Sequence, residues 1–318
     1  MLFSLLVSPV CIAKSADRAI QKMDSNGDGK LSRKEFRKKK VFNDIDLDND
    51  GFISRQELMI RFGEKTAING LERPDPVSIS AIRRGKFDDV ADLKARGLFE
   101  TGLKPTWPGN IRCPGIDEWY AKDYTPKRPR EAYHGGIDIP AKFGTPVIAA
   151  MDGEVIAVYE GLKSPRGREV VIRHTPDQSG YPLYLYSRYT HFDESPAVKP
   201  GQNVKMGEFI GIIGNSGILG CQTMGKSCLG KSRRPGLHFD ILYSEDDRYW
   251  DNGSTIVPFN AFWMDPNALY RKTMPIDSVS MKKLPKKEKT VQISYQLESG
   301  ERLPADTKMI WPFTCTTK

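Results

Sequence analysis

The chain has 318 residues, enough for about two domains of ordinary size. With 39% hydrophobic and 28% charged residues it is neither a disordered chain nor a membrane bundle, and its 28 Gly and 22 Pro favour turn-rich β structure. The formal net charge of +8 suits contact with an anionic polymer of the cell envelope; no nucleic acid is expected, because no aromatic platform or recognition helix accompanies the basic clusters at 38–40, 231–234 and 282–289.

The chain opens on an apolar run at 2–10, closed by Cys11, Ile12 and Ala13. A bilayer-crossing helix needs about 20 residues, so the run reads as the apolar core of a signal peptide spanning 1–15. No transmembrane span is expected, and the setting is the bacterial periplasm or the exterior. Four cysteines then remain, Cys113, Cys221, Cys228 and Cys315. An even number suits disulfides in an exported chain. Cys221 and Cys228 bracket a short loop and are expected to pair, leaving Cys113 for Cys315.

Residues 16–62 contain an internal repeat of two twelve-residue loops. The first offers Asp24, Asn26 and Asp28 at positions 1, 3 and 5, Gly29 at 6, Lys30 at 7, Ser32 at 9 and Glu35 at 12. The second repeats this with Asp46, Asp48, Asp50, Gly51, Phe52, Ser54 and Glu57. Calcium takes six to eight oxygens, and this spacing supplies them, with the backbone carbonyls of Lys30 and Phe52 serving at position 7 while glycine makes the sharp turn. Leu31 and Ile53 both fall at position 8. The loops begin 22 residues apart (46 minus 24), which leaves 36–45 as both exit from one loop and entry to the next. That compact spacing resembles dockerins and bacterial tandem EF-hand proteins, and implies a small α-helical calcium module acting as a brace or as a docking element for a calcium-dependent protein partner.

Residues 63–106 read as a linker with one helix at 86–96. From about Trp107, short β-branched runs alternate with Gly and Pro at 145–149, 153–159, 169–173, 183–189 and 209–213, the pattern of an antiparallel sandwich or barrel-like sheet. This domain is expected to span 107–275. A basic extension, 276–318, follows, with one strand at 290–297.

All four histidines lie in the β-rich part. On a strand, the offset of four would put His134 and Asp138 on one face, and His238 on another strand-like stretch completes a set of two imidazoles and a carboxylate. Such a set leaves tetrahedral zinc one open position, as catalytic sites require. His174 reads as a hydrogen-bonded structural residue, and Tyr133, Tyr189 and Trp263 as core aromatics.

These histidines sit in an ordered series of motifs: H-x-G-x-D at His134 to Asp138, G-T-P-V at 144–147, D-G-E-V at 152–155, Y-x-H at 189–191, paired glycine turns across 198–217 and Asp265-Pro266. The stretch from His134 to Tyr270 resembles the lysostaphin or LytM-type metallopeptidase domain. The resemblance implies a mainly β fold of the duplicated hybrid motif type, Zn2+ held by His134, Asp138 and His238, His191 as a catalytic residue, and cleavage of peptide bonds in peptidoglycan. It departs at one point: the family's H-x-H motif here reads Gly236-Leu237-His238. Either another group serves beside His191, such as Arg233 or Arg234, or the chain is a zinc-binding envelope protein of little activity that binds the cell wall or a partner. The first is preferred, because the three ligands and His191 remain.

Overall fold

The computed structural model describes residues 16–36, 39–46, 51–62, 73–83, 90–115, 134–161, 164–217 and 234–318. The expected signal peptide, Asp48, Asp50, Tyr133, Arg233, Cys221 and Cys228 lie outside the described residues.

The N-terminal unit comprises helix α1 (Ala16–Met23), strand β1 (Lys30–Ser32), helix α2 (Lys39–Phe42), strand β2 (Phe52–Ser54) and helix α3 (Arg55–Arg61). β1 and β2 pair antiparallel with Leu31 directly opposite Ile53, so the two position-8 residues meet at the centre of the unit. Leu31, Ile53, Phe42, Ile45 and Leu58 form its own small core. The Arg55 guanidinium closes the unit by pairing with Asp17 on α1.

Helices α4 (Pro76–Arg83) and α5 (Val90–Ala95) follow, then strands β3 (Lys104–Thr106) and β4 (Ile111–Arg112). The stretch expected as a linker therefore carries structure of its own, and α5 lies inside the expected helix at 86–96. Ala81, Ile82, Leu93 and Leu98 pack with Trp250 and Trp263 in a second core. An apolar pattern of only a few residues per helix hides this burial from sequence inspection, since its partner surface is more than 150 residues away.

The body of the chain is built from β5 (Ile137–Pro140), β6 (Pro146–Ile148), β7 (Gly153–Tyr159), β8 (Arg168–His174), the short helix α6 (Pro176–Ser179), β9 (Tyr184–Phe192), β10 (Asn203–Val204), β11 (Phe209–Ile212), β12 (Gly236–Ser244), β13 (Tyr249–Asp251), β14 (Ile256–Pro258) and β15 (Phe262–Met264). The expected strand runs thus reappear as β6, β7, β8, β9 and β11. A seven-stranded sheet runs in the order β10-β7-β8-β9-β12-β15, with β5 also paired to β12. These pairings are antiparallel. Apolar side chains alternate along its strands, so both faces are covered. Ile137, Val155, Ile172, Tyr189 and Phe239 face the main core; Ala157, Val171, Tyr186 and Leu242 face the second.

Residues 276–318 fold against this body rather than trailing from it. They form α7 (Ser278–Lys283), β16 (Thr290–Gln292), β17 (Tyr295–Leu297), β18 (Arg302–Leu303) and β19 (Thr314–Thr317). β16 pairs with β3 and β19 with β4, while Val291, Ile293, Trp311 and Phe313 join the main core. A disulfide joins Cys113 to Cys315. The basic composition of this segment shows on its surface, but its apolar residues alternate inward.

Candidate metal centre

Strand register builds the centre. On β12 and β5, His238 stands directly opposite Asp138. On β12 and β9, His238 stands opposite Thr190 and Asp240 opposite Arg188. Opposed residues of neighbouring strands point to the same side of a sheet, as do residues two apart on one strand. Asp138, His238, Asp240 and Arg188 therefore share one face, and the intervening Ile137, Ile139, Leu237 and Phe239 fill the core on the other.

His134 reaches this face by a different route from the one its spacing suggests. The strand begins only at Ile137, so His134 lies in the approach to it, and the chain turns at Gly136 with φ of 138°. Glycine is required there twice over. Beyond the unusual φ, a Cβ at Gly136 would lie 2.6 Å from the Asp240 Cβ, well inside van der Waals contact. The turn brings His134 Nε2 to 3.0 Å from Asp138 Oδ1, and His238 Nδ1 is 2.9 Å from the same oxygen.

One ligand atom from each of His134, Asp138 and His238 lies within 4.8 Å of the other two. Two imidazole nitrogens and one carboxylate oxygen gathered at this separation are a donor set that suits a zinc-like ion. Both imidazoles are buried, whereas the Asp138 side chain keeps 42% of its surface exposed, so one side of the trio faces solvent. Burial works to raise the Asp138 pKa, but the charges and hydrogen bonds of His134 and His238 outweigh it and hold the carboxyl well below its ordinary range. Burial also works to lower the His238 pKa, and hydrogen bonds to Asp138 and Asp240 reverse that direction.

His191 joins the trio through a defect in the sheet. Arg168 pairs with Phe192 and Glu169 with Thr190, so His191 is the extra residue of a β-bulge. Its φ is 73°, in the left-handed region that costs a non-glycine residue about 1–2 kcal/mol, and bulges of this kind re-aim side chains beside functional sites. The bulge is held by His191 N–H donating to the Arg166 carbonyl at 3.1 Å and by Nδ1 3.0 Å from the Ser216 carbonyl. The ring centroids of His191 and His238 are 6.3 Å apart. Gly236 lies on the His238 face two residues earlier, where a Cβ would come within 3.1 Å of the Ile139 carbonyl oxygen. Arg234 is exposed.

His174 is elsewhere. It ends β8, fully buried, with Nδ1 2.7 Å from the Asp152 carbonyl and Nε2 2.8 Å from Ser187 Oγ. Burial pushes its pKa down to about 4. Asp240 and Arg188, next to the trio, are not singled out by motif spacing; the signal for Asp240 is its place two residues beyond His238 on the same strand.

In the first N-terminal loop, Asp24 Oδ1 accepts from Gly27 N–H at 2.7 Å and Oδ2 from Gly29 N–H at 2.8 Å. Glu35 folds back so that Oε1 accepts from Ser25 N–H at 3.1 Å and Oε2 from Ser32 N–H at 2.9 Å. Burial works to raise the Glu35 pKa, but hydrogen bonds from Ser32 and Ser25 outweigh it and bring it down to about 2. In the second loop, Asp46 accepts from Gly51 N–H at 3.2 Å and Glu57 from Ser54 N–H at 2.6 Å. The first and last acidic side chains are thus turned inward in both loops.

Comparison with known proteins agrees with this layout. Residues 132–252 match the model of peptidase family M23, and residues 16–38 and 39–62 each match an EF-hand model. An uncharacterized metalloprotease of Haemophilus influenzae is 41% identical over 109 residues, 34% of this chain and 18% of that protein. The DD-carboxypeptidase/endopeptidase Mpg of Neisseria meningitidis is 33% identical over 107 residues, 34% of this chain and 19% of that protein. The peptidoglycan DD-endopeptidase ShyA of Vibrio cholerae is 29% identical over 137 residues, 41% of this chain and 26% of that protein. The matched stretch thus spans only about a fifth to a quarter of these relatives. With the His-Asp-His trio inside the matched segment, the chain carries a peptidase domain of family M23, the lysostaphin/LytM type, preceded by two EF-hand matches.

Proposed function

We propose that the chain is a zinc-dependent endopeptidase that hydrolyses peptide bonds of peptidoglycan outside the cytoplasm, and that its N-terminal loops hold calcium. The observation that carries this reading is the convergence of His134, Asp138 and His238 on one point, open to solvent on the Asp138 side. The names of relatives such as ShyA, a peptidoglycan DD-endopeptidase, supply the substrate class. Among the described residues no helix is long and apolar enough to cross a membrane.

His134, Asp138 and His238 would hold the ion. Bound zinc supplies a Lewis acid that polarises a peptide carbonyl and makes water a competent nucleophile near neutral pH. His191 stands beside the trio, its Nδ1 tied to the Ser216 carbonyl. Because a carbonyl only accepts, that bond places the proton on Nδ1 and leaves Nε2 facing away with a lone pair, which can take a proton from water and, once the ring is protonated, donate to charge developing on the scissile carbonyl. The net charge of +8 favours approach to an anionic wall. Calcium in the loops would brace the helices around them, and the same unit offers a docking face for a calcium-dependent protein partner.

One observation favours a second reading. No imidazole stands at Gly236, so the domain has one fewer acid-base group on the metal face than the lysostaphin type carries, which would leave a zinc-binding wall protein of low activity. The test is release of new amino termini from purified sacculi by the full-length zinc-loaded protein. The enzyme reading expects release that is lost in His134→Ala, and equal background release from both proteins would defeat it. A Gly236→His variant that gains activity by an order of magnitude or more would support the second reading.

A further inference from the structure

We propose that Asp240 and Arg188 are positioning residues for the metal site, with Asp240 fixing the ring orientation and proton of His238 and Arg188 fixing Asp240. The inference rests on the reading of His134, Asp138 and His238 as metal ligands.

The imidazole of His238 is held at both nitrogens. Nδ1 faces Asp138 and the centre of the trio, while Nε2 lies 3.3 Å from Asp240 Oδ2. An imidazole that offers the Nδ1 lone pair to a metal must carry its proton on Nε2, and that proton needs an acceptor. A carboxylate in this place selects the required tautomer, stops rotation of the ring and makes the ligand nitrogen more electron-rich.

Asp240 is itself immobile. Its other oxygen, Oδ1, accepts from Arg188 Nε at 2.5 Å, and the side chains of Asp240 and Arg188 are 2% and 1% exposed. The Arg188 guanidinium lies 5.0 Å from the centre of the Trp263 ring, which supplies a flat wall against it. The Asp240 backbone is packed beneath the Gly136 turn so closely that no Cβ fits at residue 136. Residue 240 thus packs its Cα and Cβ against the turn that follows His134, while its carboxylate reaches His238. A buried ion pair is weak support for stability, because hydrophobic residues of the same volume often serve as well or better; its retention against a ligand imidazole is explained by what it does for the ligand.

The experiment measures the zinc dissociation constant of the full-length protein by competition with a chromogenic chelator. The absorption spectrum of the cobalt(II)-loaded protein is recorded alongside. Asp240→Ala is expected to weaken zinc about 10- to 100-fold, the usual cost of losing such an outer partner. Asp240→Asn keeps an acceptor of the same shape without the charge and is expected to recover part of that loss. Arg188→Met is expected to weaken zinc and shift the cobalt spectrum in the same direction as the Asp240 variants. Tyr181→Phe, which deletes a buried hydrogen bond to the Leu269 carbonyl of 2.9 Å, controls for mere destabilisation and should lower the melting temperature with unchanged zinc affinity. Should Asp240→Ala not fold, the Asn and Met variants carry the test. Zinc affinity and cobalt spectrum equal to wild type in these variants would overturn the inference alone. Absence of zinc binding by the wild-type protein would overturn the metal-site reading beneath it.

Discussion

The two candidate ion sites of this chain are built in opposite ways. The first EF-hand loop draws its acidic side chains from twelve consecutive residues, and each accepts hydrogen bonds from the loop's own amides. The His-Asp-His trio spans 104 positions (238 minus 134) and exists only because β5 and β12 pair in a register that sets Asp138 opposite His238. A one-residue slip in that register would turn the ligands to the opposite face. The local site depends on a turn; the distributed site depends on the whole sheet. It follows that damage to the sheet should scatter the trio, while damage to the loops should leave it standing.

The sharpest probe of the distributed site is His191, which lies beside the trio without belonging to it. His191→Ala is expected to lower sacculus hydrolysis about 10²- to 10⁴-fold, the range for loss of one acid-base or electrostatic group, with zinc stoichiometry retained. Rate and metal content measured on one preparation separate the two roles; loss of zinc together with activity would make His191 part of the metal-holding structure instead.

Much of this arrangement is legible before any fold is known. The EF-hand loops are readable because their acidic residues, turn glycines and apolar position-8 residues follow one another at fixed spacing. The trio is readable from H-x-G-x-D and the His238 strand, yet the mechanism of convergence is not: His134 was expected on the same strand as Asp138, and it reaches the site through the Gly136 turn. The bulge at His191 leaves no mark in the residue pattern, because it is a mismatch between two strands rather than a property of one. Helix α4 escapes notice for a related reason. Ala81 and Ile82 acquire meaning only against Trp263, whose indole N–H donates to the Ala81 carbonyl at 3.1 Å. Asp240 carries the same lesson at the site itself, since its significance comes from Arg188 across the sheet.

The sheet that carries the trio also buries His174. Its folded pKa of about 4 lies below its ordinary value of 6.5, so the unfolded chain binds the extra proton first and stability rises with pH across that window. The contribution is complete above about pH 6.5 and is lost as pH falls towards 4, by up to about 3 kcal/mol for a shift of this size. His174→Gln should flatten this part of the stability curve, measured by urea denaturation between pH 4 and pH 7. An unchanged slope would place the acid sensitivity in other groups.

The smallest effect is expected from the local site. Tandem loops outside the cytoplasm need bind calcium only with dissociation constants of about 10⁻⁴ to 10⁻³ M, and at millimolar calcium such binding stabilises the folded unit by roughly 0.4–1.4 kcal/mol per site. Chelating calcium from the full chain should therefore lower the first melting transition by a few degrees, an effect that Glu35→Ala and Glu57→Ala together should mimic and make insensitive to calcium. Zinc affinity should not move, because the trio draws its geometry from β5 and β12. One contact could break that independence: Lys30 of the first loop packs against Gly253, where an added Cβ would lie 3.2 Å from the lysine Cβ, and the neighbouring Thr255 accepts from Arg166 Nη1 at 2.7 Å. The carbonyl of that arginine anchors the His191 bulge. A calcium-dependent change in hydrolysis with constant zinc affinity would show that the loops reach His191 by this path, and the contrast between local and distributed sites would then hold for assembly but not for activity.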